Sequence, residues 1–422
     1  MYTKQLKGSI SVPGDKSISH RAVLFGAIAQ GKTNITGFLM GEDCLSTISC
    51  FRKMGIEIEI NETNVIVHGK GLQGLSDPGD VLYTGNSGTT TRLLCGLLAG
   101  QKFSSILDGD ETIRKRPMNR VASPLIQMGA KILCTNGTFC PLEITGSPLH
   151  GISYQTPVAS AQLKSALILA GLYAQGETVI KEPALSRNHT ELMLPVFGGK
   201  ISTCGNTVRV STHESLTGAQ IKVPGDISSA AYFIVAAIIN PGSEILIQNV
   251  GINKTRIGIL DVLTKMGADI SFENRRTWGQ EPVADLLVRS SDLTGTVIEG
   301  NIIPTLIDEI PILAVAAAFA HGETVIRNAA ELKVKESNRI DTVCQMLQSA
   351  GISATPTEDG MVIRGGDHGT GAVFETHNDH RIAMSAAVLA TRCTGESSIT
   401  NPQCASISYP DFYSALEGLR KS

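Results

Sequence analysis

The chain has 422 residues, of which 42% are apolar and 18% are charged, and its formal net charge at pH 7 is −3. This composition is typical of a globular protein with more than one hydrophobic core, and the negative charge disfavours a non-specific nucleic-acid binder. There is no uninterrupted apolar stretch of membrane-spanning length and the nine cysteines form no CxxC pair, so we expect a cytoplasmic protein with free thiols, no metal site and no membrane association.

One unit of two helices recurs six times, roughly 70 residues apart. In each copy a small polar segment leads into an Ala/Leu/Ile-rich helix. A Gly with a short β-like run, a second helix and a final strand follow. The first helices are predicted to begin near Ser17, Ser87, Ser160, Ser228, Asp308 and Asn378. Because these helices are apolar nearly all round, we expect them to be buried against sheets.

The clearest internal sequence similarity is between SVPGDKS at 11–17 and KVPGDIS at 222–228. It divides the chain into two halves of three units each, with the VPGD segments as the crossings between them. If the first helices are roughly parallel, their N-termini meet on one surface of each half. The unpaired N–H groups there favour anions.

The first two helix starts carry basic and hydroxyl residues. Lys16, Ser17 and Arg21 suit a phosphate or carboxylate, although Ser17 could instead be only a helix cap. Gly88, in the loop GNSGTTTR, allows close approach of a ligand, and a capped turn is the alternative. The cations of Arg114-Lys115-Arg116 that follow are either a solvated loop or face an anion.

The third start, Ser160-Ala161-Gln162, is followed in the same unit by the segment SRNHTE at 186–191. The fourth, Ile227-Ser228-Ser229-Ala230, is poor in charge, and we assign it to packing.

The fifth start places Asp308 and Glu309 just before Pro311, where helix capping would explain one of them. The charge cluster that includes Lys335, Glu336 and Arg339 has an i,i+4 surface pattern as its alternative. At the sixth start, Arg381 lies in the first turn of an apolar helix and needs a partner, either Asp379 or an external anion. Together the starts favour a site for a substrate with several anionic groups.

The motifs PGDKSISHR, GNSGTTTRL, RKRPM, PVASAQLKSA, SRNHTE, LKVKESNRI and NDHRIAM, in this order, closely resemble the 5-enolpyruvylshikimate-3-phosphate synthases. The match spans the chain, and the motifs are more similar to those of the bacterial class II group than to those of the enteric class I group. The resemblance implies an inside-out α/β barrel of six βαβαββ units, with the active site in the cleft between two domains. It places the N-terminal domain at 14–225, the C-terminal domain at 1–13 plus 226–422, and the hinge near 11–15 and 222–228.

The resemblance implies transfer of the enolpyruvyl group of phosphoenolpyruvate to the 5-hydroxyl of shikimate 3-phosphate, in the shikimate pathway to chorismate. No cofactor, metal or covalent intermediate is implied, and we expect a monomer that closes around its two small-molecule substrates. The alternative is the sister transferase acting on UDP-N-acetylglucosamine. That enzyme carries a loop cysteine before its Arg-Pro motif, whereas the loop here, Glu111 to Pro117, has none.

Site roles follow from the matched positions. Asp308 is the implied base for the 5-hydroxyl, and Glu336 with Lys16 is the implied acid–base pair at C3 of phosphoenolpyruvate. Residues implied to bind shikimate 3-phosphate are Lys16, Ser17, Arg21, Ser160, Gln162, Arg187, Asp308 and Lys335. Residues implied to bind phosphoenolpyruvate are Lys16, Asn86, Gly88, Arg116, Gln162, Arg339 and Arg381.

Three positions depart from the enteric pattern. Ile407 stands where the enteric enzymes carry a Lys of the phosphoenolpyruvate clamp, although class II relatives also lack it. His189 and Glu331 stand where the enteric enzymes carry a Tyr and an Asn. The roles of these three positions are therefore not carried over.

Overall fold

The computed structural model describes residues 5–366 and 368–420 and contains two compact units. The N-terminal unit comprises Gly14–Val223 and Trp278–Glu281. The C-terminal unit comprises the segment up to Pro13, Pro224–Thr277 and the segment from Pro282 onwards. Residues 1–4, 367, 421 and 422, which belong to the predicted C-terminal domain, lie outside the described residues.

The described helices and strands follow the chain in a repeated order. The α-helices are α1 Lys16–Ile28, α2 Glu42–Lys53, α3 Gly88–Ala99, α4 Glu111–Arg114, α5 Asn119–Gln127, α6 Ala161–Gly171, α7 His189–Met193, α8 Ile227–Ile239, α9 Gly258–Lys265, α10 Ile303–Leu306, α11 Ile310–Ala318, α12 Arg339–Ser349, α13 His380–Ala390 and α14 Phe412–Gly418. The strands are β1 Lys7–Ser11, β2 Gln30–Thr36, β3 Glu57–Asn61, β4 Asn64–Lys70, β5 Leu82–Tyr83, β6 Ser104–Asp108, β7 Lys131–Thr135, β8 Phe139–Thr145, β9 Ser153–Gln155, β10 Glu177–Lys181, β11 Ile201–Cys204, β12 Thr207–Ser211, β13 Gln220–Lys222, β14 Glu244–Gly251, β15 Asp269–Trp278, β16 Glu281–Arg289, β17 Val297–Ile298, β18 Glu323–Ile326, β19 Ser353–Pro356, β20 Met361–Arg364, β21 Gly369–Thr370, β22 Val373–Phe374, β23 Cys393–Thr394 and β24 Ser398–Ile399. Short 3-10 helices lie at Leu194–Phe197, Gly300–Ile302, Ala330–Val334 and Pro402–Ile407.

The repeat predicted from the sequence is visible in the sheets. Five four-stranded sheets among the described residues have the orders β13-β2-β4-β3, β5-β6-β8-β7, β9-β10-β12-β11, β1-β14-β16-β15 and β17-β18-β20-β19. In each sheet an edge strand runs parallel to its neighbour, which pairs antiparallel with the third strand.

The sixth repeat departs from this plan. Its strands form two separate two-stranded sheets, β21-β23 and β22-β24, and each pairing joins only two residues of each strand. The sixth unit is therefore an incomplete copy of the other five.

The first helix of each repeat lies in the interior, as the lack of a polar face predicts. All thirteen residues of α8 are buried, as are all nine of α11. Helices α8, α11 and α13 pack against one another in the C-terminal unit, and α3 packs against α6 and α1 in the N-terminal unit. Each unit has its own hydrophobic core around these helices.

Helix and strand boundaries follow the local chemistry. Four of the second helices (α2, α5, α9 and α12) and the 3-10 helix after α7 lead into a glycine with positive φ, a conformation that glycine adopts without steric cost. These glycines are Gly55, Gly129, Gly198, Gly267 and Gly351. They stand in matching segments of the sequence, MGIEIEI, MGAKIL, GGKIS, MGADISF and AGISAT.

Within the described residues, no single helix is both long and apolar enough to cross a bilayer. Two consecutive helical segments, Gly300–Leu306 and Ile310–Ala318, together have the length and apolar composition of a membrane span, but a bend of 109° separates them.

Candidate active site

The start of α1 is capped by Asp15, whose side chain accepts a hydrogen bond of 2.9 Å from the main-chain nitrogen of Ile18. The alternative in which Ser17 only caps the helix is therefore wrong. Ser17 lies partly buried in the first turn, and its carbonyl oxygen accepts a 3.0 Å hydrogen bond from Arg21 Nη1. Ser17 and Arg21 are thus fixed one above the other at the N-terminal end of α1.

Arg21 is held in one orientation by two hydroxyl groups from other helices. Its Nε donates to Thr190 Oγ1 at 2.6 Å, and its Nη2 donates to Ser165 Oγ at 2.7 Å. Only 3% of the residue is exposed, and this burial lowers the pKa of Arg21 to about 10, although the Glu191 carboxylate acts in the opposite direction. A guanidinium so poorly hydrated gains from an anionic ligand.

Lys16 forms an ion pair with Asp43 in the first turn of α2. The lysine side chain is 28% exposed and the aspartate 13%. Asp43 was not predicted as a site residue, because α2 has the pattern of an ordinary amphipathic helix. Its carboxylate holds Lys16 beside Ser17.

The second helix start brings arginines together around Gly88. Ser87 caps α3 by accepting from Thr90 N at 3.1 Å. A Cβ atom on Gly88 would lie 2.9 Å from Arg92 Nη1 and 3.3 Å from Arg116 Nη1, so only glycine leaves both guanidinium groups undisturbed. Arg92 Nη1 also donates to Gln162 Oε1 at 2.7 Å, which fixes the amide of α6 against this cluster.

Positive charge is concentrated at this point. Burial first, and then the charges of Arg116 and Arg120, lower the pKa of Arg92 to about 10. The other cations of the RKRP segment differ from Arg116. Arg114 forms a two-pronged pair with Asp108, at 2.9 and 2.5 Å, and Lys115 is exposed. The solvated-loop interpretation therefore applies to Lys115 but not to the partly buried Arg116.

The third helix start is supported by a buried lysine. Ser160 caps α6, accepting from Leu163 N at 3.4 Å, and its main-chain nitrogen donates to Glu182 Oε1 at 3.3 Å. Lys164, only 1% exposed, lies 2.7 Å from Glu182 and 2.8 Å from Glu191. This triad ties the start of α6 to the start of α7, where Arg187 precedes the helix.

The fourth helix start is not poor in charge, contrary to the prediction. Asp226 caps α8 and also accepts a 2.9 Å bond from Arg256 Nη2, which donates to Ser228 Oγ at 2.8 Å as well. Ser228 in turn donates to the buried carboxylate of Glu309. Arg256 follows β14 in the chain, outside the six aligned starts, so the sequence pattern did not select it.

The fifth start is built differently from the capped turn considered above. The turn between α10 and α11 contains Asp308, and no side chain caps α11. The Asp308 carboxylate, 15% exposed, lies 3.4 Å from Lys335 Nζ and 3.6 Å from Arg339 Nη1. Capping is therefore not the role of Asp308, whose carboxylate is held between two cations.

Arg339 is the most deeply buried charge of this group, at 1% exposure, so the surface interpretation of its segment is wrong. Its Nε and Nη2 donate to Asp379 at 2.8 and 3.2 Å, and Nη2 also donates to Glu336 at 2.5 Å. Burial alone would lower the pKa of Arg339, but the carboxylates of Asp379 and Glu336 outweigh it and raise the pKa. The guanidinium is thus permanently charged.

Arg381, at the sixth start, is not paired through its side chain with Asp379, as one alternative held. Of the nitrogens of Arg381, only the main-chain nitrogen donates to Asp379, at 2.9 Å. Arg381 Nη1 instead donates to the carbonyl oxygen of Asp308 at 2.9 Å and lies 3.9 Å from the Glu309 carboxylate. Burial would lower the pKa of Arg381, but Asp308, Tyr232 and Glu309 raise it.

The predicted site residues are divided between the two units, and we call the two sets the N-terminal cluster and the C-terminal cluster. The N-terminal cluster contains Lys16, Ser17, Arg21, Asn86, Gly88, Arg116, Ser160, Gln162 and Arg187, and the C-terminal cluster contains Asp308, Lys335, Glu336, Arg339 and Arg381. All of these residues are buried or partly buried. Their neighbours in the sequence Lys115, Glu331 and Lys333 are exposed. Both clusters are rich in cations, which suits them to bind ligands with several negative charges.

Several charged residues contact a helix start although the sequence did not predict these contacts. They are Asp43, Arg92, Arg256 and Glu309. Only Arg92 and Glu309 lie within a quoted motif or at a start. Ile407 is partly buried in a 3-10 helix and brings no charge.

The known proteins that are similar to this chain share one description. The family model described as EPSP synthase (3-phosphoshikimate 1-carboxyvinyltransferase) matches residues 2–416. Curated relatives named 3-phosphoshikimate 1-carboxyvinyltransferase include one from Thermoanaerobacter sp. strain X514, 54% identical over 98% of both chains. Another, from Brevibacillus brevis, is 55% identical over 98% of this chain and 97% of the relative.

A solved structure of EPSP synthase from Acinetobacter baumannii superimposes with a TM-score of 0.90 and 46% identity, over 99% of this chain and 96% of that one. Fold, motifs and full-length identity lead to one conclusion: the chain belongs to the EPSP synthase family.

Proposed function

We propose that the protein transfers the enolpyruvyl group of phosphoenolpyruvate to the 5-hydroxyl of shikimate 3-phosphate, releasing phosphate. The relatives that carry the name of this activity match the chain from end to end, and the charge distribution suits it. The observation that carries the proposal is the Asp308 carboxylate between Lys335 and Arg339, at 3.4 and 3.6 Å. It offers a proton acceptor among groups that bind anions.

In the proposed reaction, Asp308 accepts the proton of the 5-hydroxyl while the oxygen attacks C2 of phosphoenolpyruvate. Glu336, with Lys16 as the second candidate, donates a proton to C3. The product of this addition is a tetrahedral ketal phosphate. Glu336 then takes a proton back from C3 while phosphate leaves with the proton held by Asp308. This restores the double bond, the Glu336 acid and the Asp308 carboxylate.

We assign the shikimate 3-phosphate site to Ser17, Arg21, Ser160, Arg187 and Lys335. The first four belong to the N-terminal cluster, where helix N-termini and guanidinium groups suit a phosphate. Arg21 is already oriented by Thr190 and Ser165, so little side-chain entropy is lost on binding. Gln162, fixed by Arg92, is assigned to the ring and to phosphoenolpyruvate.

We assign phosphoenolpyruvate to Lys16, Asn86, Gly88 and Arg116 of the N-terminal cluster, and to Arg339 and Arg381 of the C-terminal cluster. Arg339 uses Nε and Nη2 on carboxylates, so Nη1 is the donor that we assign to the substrate. Nη1 lies 3.6 Å from Asp308, beyond hydrogen-bond distance.

The test of this function is phosphate release from phosphoenolpyruvate, with shikimate 3-phosphate and UDP-N-acetylglucosamine offered in separate reactions. We expect release with shikimate 3-phosphate only. Release only with the nucleotide sugar would overturn the proposal in favour of the sister transferase. The Asp308→Asn variant, assayed beside the wild type, controls for contaminating phosphatases.

We also propose that the protein acts as a monomer in the cytoplasm. Its proposed substrates are small, highly charged metabolites, and both clusters are supplied by one chain. Light scattering at micromolar concentration tests the monomer, and cell fractionation tests the location. A stable dimer, or recovery with membranes, would contradict the respective statement.

A further inference from the structure

A four-residue hairpin tip belongs to a different unit from most of its hairpin. Strands β15 and β16 are neighbours in a sheet of the C-terminal unit, yet Trp278–Glu281 belongs to the N-terminal unit. One side of this tip is held by Lys222, whose Nζ lies 3.8 Å from the centre of the Trp278 ring. Such a cation–π contact fixes the position of the tip relative to β13.

The other side of the tip is held by a buried pair. His189 Nδ1 lies 2.7 Å from Glu281 Oε1, and the two side chains are 2% and 10% exposed. A carboxylate beside Nδ1 favours the proton on that nitrogen and fixes the plane of the ring. The pair joins residues 92 positions apart, so it ties the tip to the first residue of α7.

The start of α7 is also where the proposed phosphate ligands meet. Arg187 lies two residues before His189, and Thr190, the next residue, accepts the 2.6 Å hydrogen bond from Arg21 Nε. The Glu281 carboxylate is one of three that oppose the effect of burial on the pKa of Arg21. Its charge therefore acts on Arg21 as well as on His189.

We propose that Glu281 is a positioning residue for the site that takes the 3-phosphate of the acceptor substrate. Through His189, Glu281 fixes the start of α7. It thereby fixes the positions of Arg187 and of the Thr190 hydroxyl, which orients Arg21. This inference rests on the proposed function and adds to it a residue of the hairpin tip. The competing explanation is that the pair only stabilises the hairpin.

The two explanations predict different kinetics. A purely structural pair would affect stability and the fraction of active enzyme, so kcat would fall and both KM values would stay constant. A positioning residue for the phosphate site would raise KM for shikimate 3-phosphate and leave KM for phosphoenolpyruvate unchanged.

The experiment compares Glu281→Ala, Glu281→Gln and the wild type by steady-state kinetics with each substrate varied. We expect Glu281→Ala to raise KM for shikimate 3-phosphate about tenfold. Glu281→Gln should recover most of the loss, because an amide oxygen still accepts from His189 Nδ1. Glu177→Gln, which removes a carboxylate from an exposed pair with Arg209 in the same unit, is the matched control and should resemble the wild type.

A KM for shikimate 3-phosphate within twofold of the wild type in Glu281→Ala would overturn the inference, as would an equal rise in both KM values. Should Glu281→Ala fail to fold, Trp278→Leu loosens the tip without leaving a buried charge unpaired. Absence of a selective KM rise in that variant would then overturn it. Wild-type turnover is measured first, so failure of the proposed function itself is recognised separately.

Discussion

The carbonyl oxygen of Asp308 accepts a hydrogen bond of 2.9 Å from Arg381 Nη1. The turn that carries the proposed base is thereby tied to the helix that carries a proposed phosphoenolpyruvate ligand. Because the contact uses the main chain of Asp308, its carboxylate remains directed towards Lys335 and Arg339. Substitutions of the Asp308 side chain can therefore test the carboxylate without releasing Arg381.

Asp308→Asn should abolish most turnover and preserve substrate binding. The amide keeps the size of the side chain but cannot accept the hydroxyl proton, so we expect kcat to fall by about 100-fold or more. Phosphate release measures turnover, and calorimetry with each substrate measures binding. Asp341→Asn, on the exposed face of α12, is the control. Turnover of Asp308→Asn within a few-fold of the wild type would assign the base to another group.

Gly88→Ala should weaken binding of phosphoenolpyruvate selectively. The new methyl group would lie 2.9 Å from Arg92 Nη1 and 3.3 Å from Arg116 Nη1, and both guanidinium groups would have to move. We expect KM for phosphoenolpyruvate to rise about tenfold and KM for shikimate 3-phosphate to stay constant. Gly418→Ala, with no neighbouring atom within 4 Å of the added Cβ, controls for the change of residue type. An unchanged KM for phosphoenolpyruvate would contradict the assignment of Gly88.

Lys164→Met should destabilise the protein strongly. It leaves Glu182 and Glu191 buried without their cation, which costs about 3–5 kcal/mol of unfolding free energy. Urea denaturation measures the loss. Arg209→Met removes a cation from an exposed pair and should cost about 0–1 kcal/mol. Equal losses in the two variants would show that burial does not set the energy of the triad.

Stability should fall between neutral pH and about pH 4. Burial lowers the pKa of His20 to about 3 and that of His380 to about 4, whereas both titrate near 6.5 in the unfolded chain. Below pH 6.5 the unfolded state therefore binds protons that the folded state does not, and the free energy of unfolding decreases as pH falls. Thermal unfolding from pH 7.5 to 5 measures the slope.

His380→Gln should make that slope shallower, because one of the two histidines whose pKa is lowered by burial is then missing. The partly exposed His68, replaced by Gln, controls for removal of a histidine from the surface. A slope in His380→Gln as steep as in the wild type would contradict the assignment to buried histidines.

The repeats were predictable because each copy carries its own local signals. Apolar helices without a polar face predict buried helices. The glycines after the second helices predict turns, and the structure shows that Gly55 and Gly267 form them with positive φ. The incomplete sheets of the sixth unit were not predictable. Two-residue strands such as β22 are too short for a period-two pattern to be recognised.

The site was predictable where a charge stands at an equivalent helix start. Asp308, Lys335 and Arg339 meet because a buried helix and a returning strand, α11 and β18, carry them back to one end. Partners from other segments were missed. Arg256 reaches Ser228 from outside the aligned positions, and the choice of Asp379 for Arg339 rather than for the Arg381 side chain depends on side-chain packing. Such choices are set by tertiary contacts, which spacing along the chain does not encode.

We expect the two-stranded sheets of the sixth unit to open locally before the four-stranded sheets do. Each two-stranded sheet contains few main-chain hydrogen bonds. Little structure therefore has to open before solvent reaches the amide protons of residues 369–374 and 393–399. Deuterium should therefore enter there earlier than in the four-stranded sheets. Helix α13, which carries Arg381, lies between these segments in the chain. A proposed ligand of the substrate therefore belongs to the unit that we expect to exchange fastest.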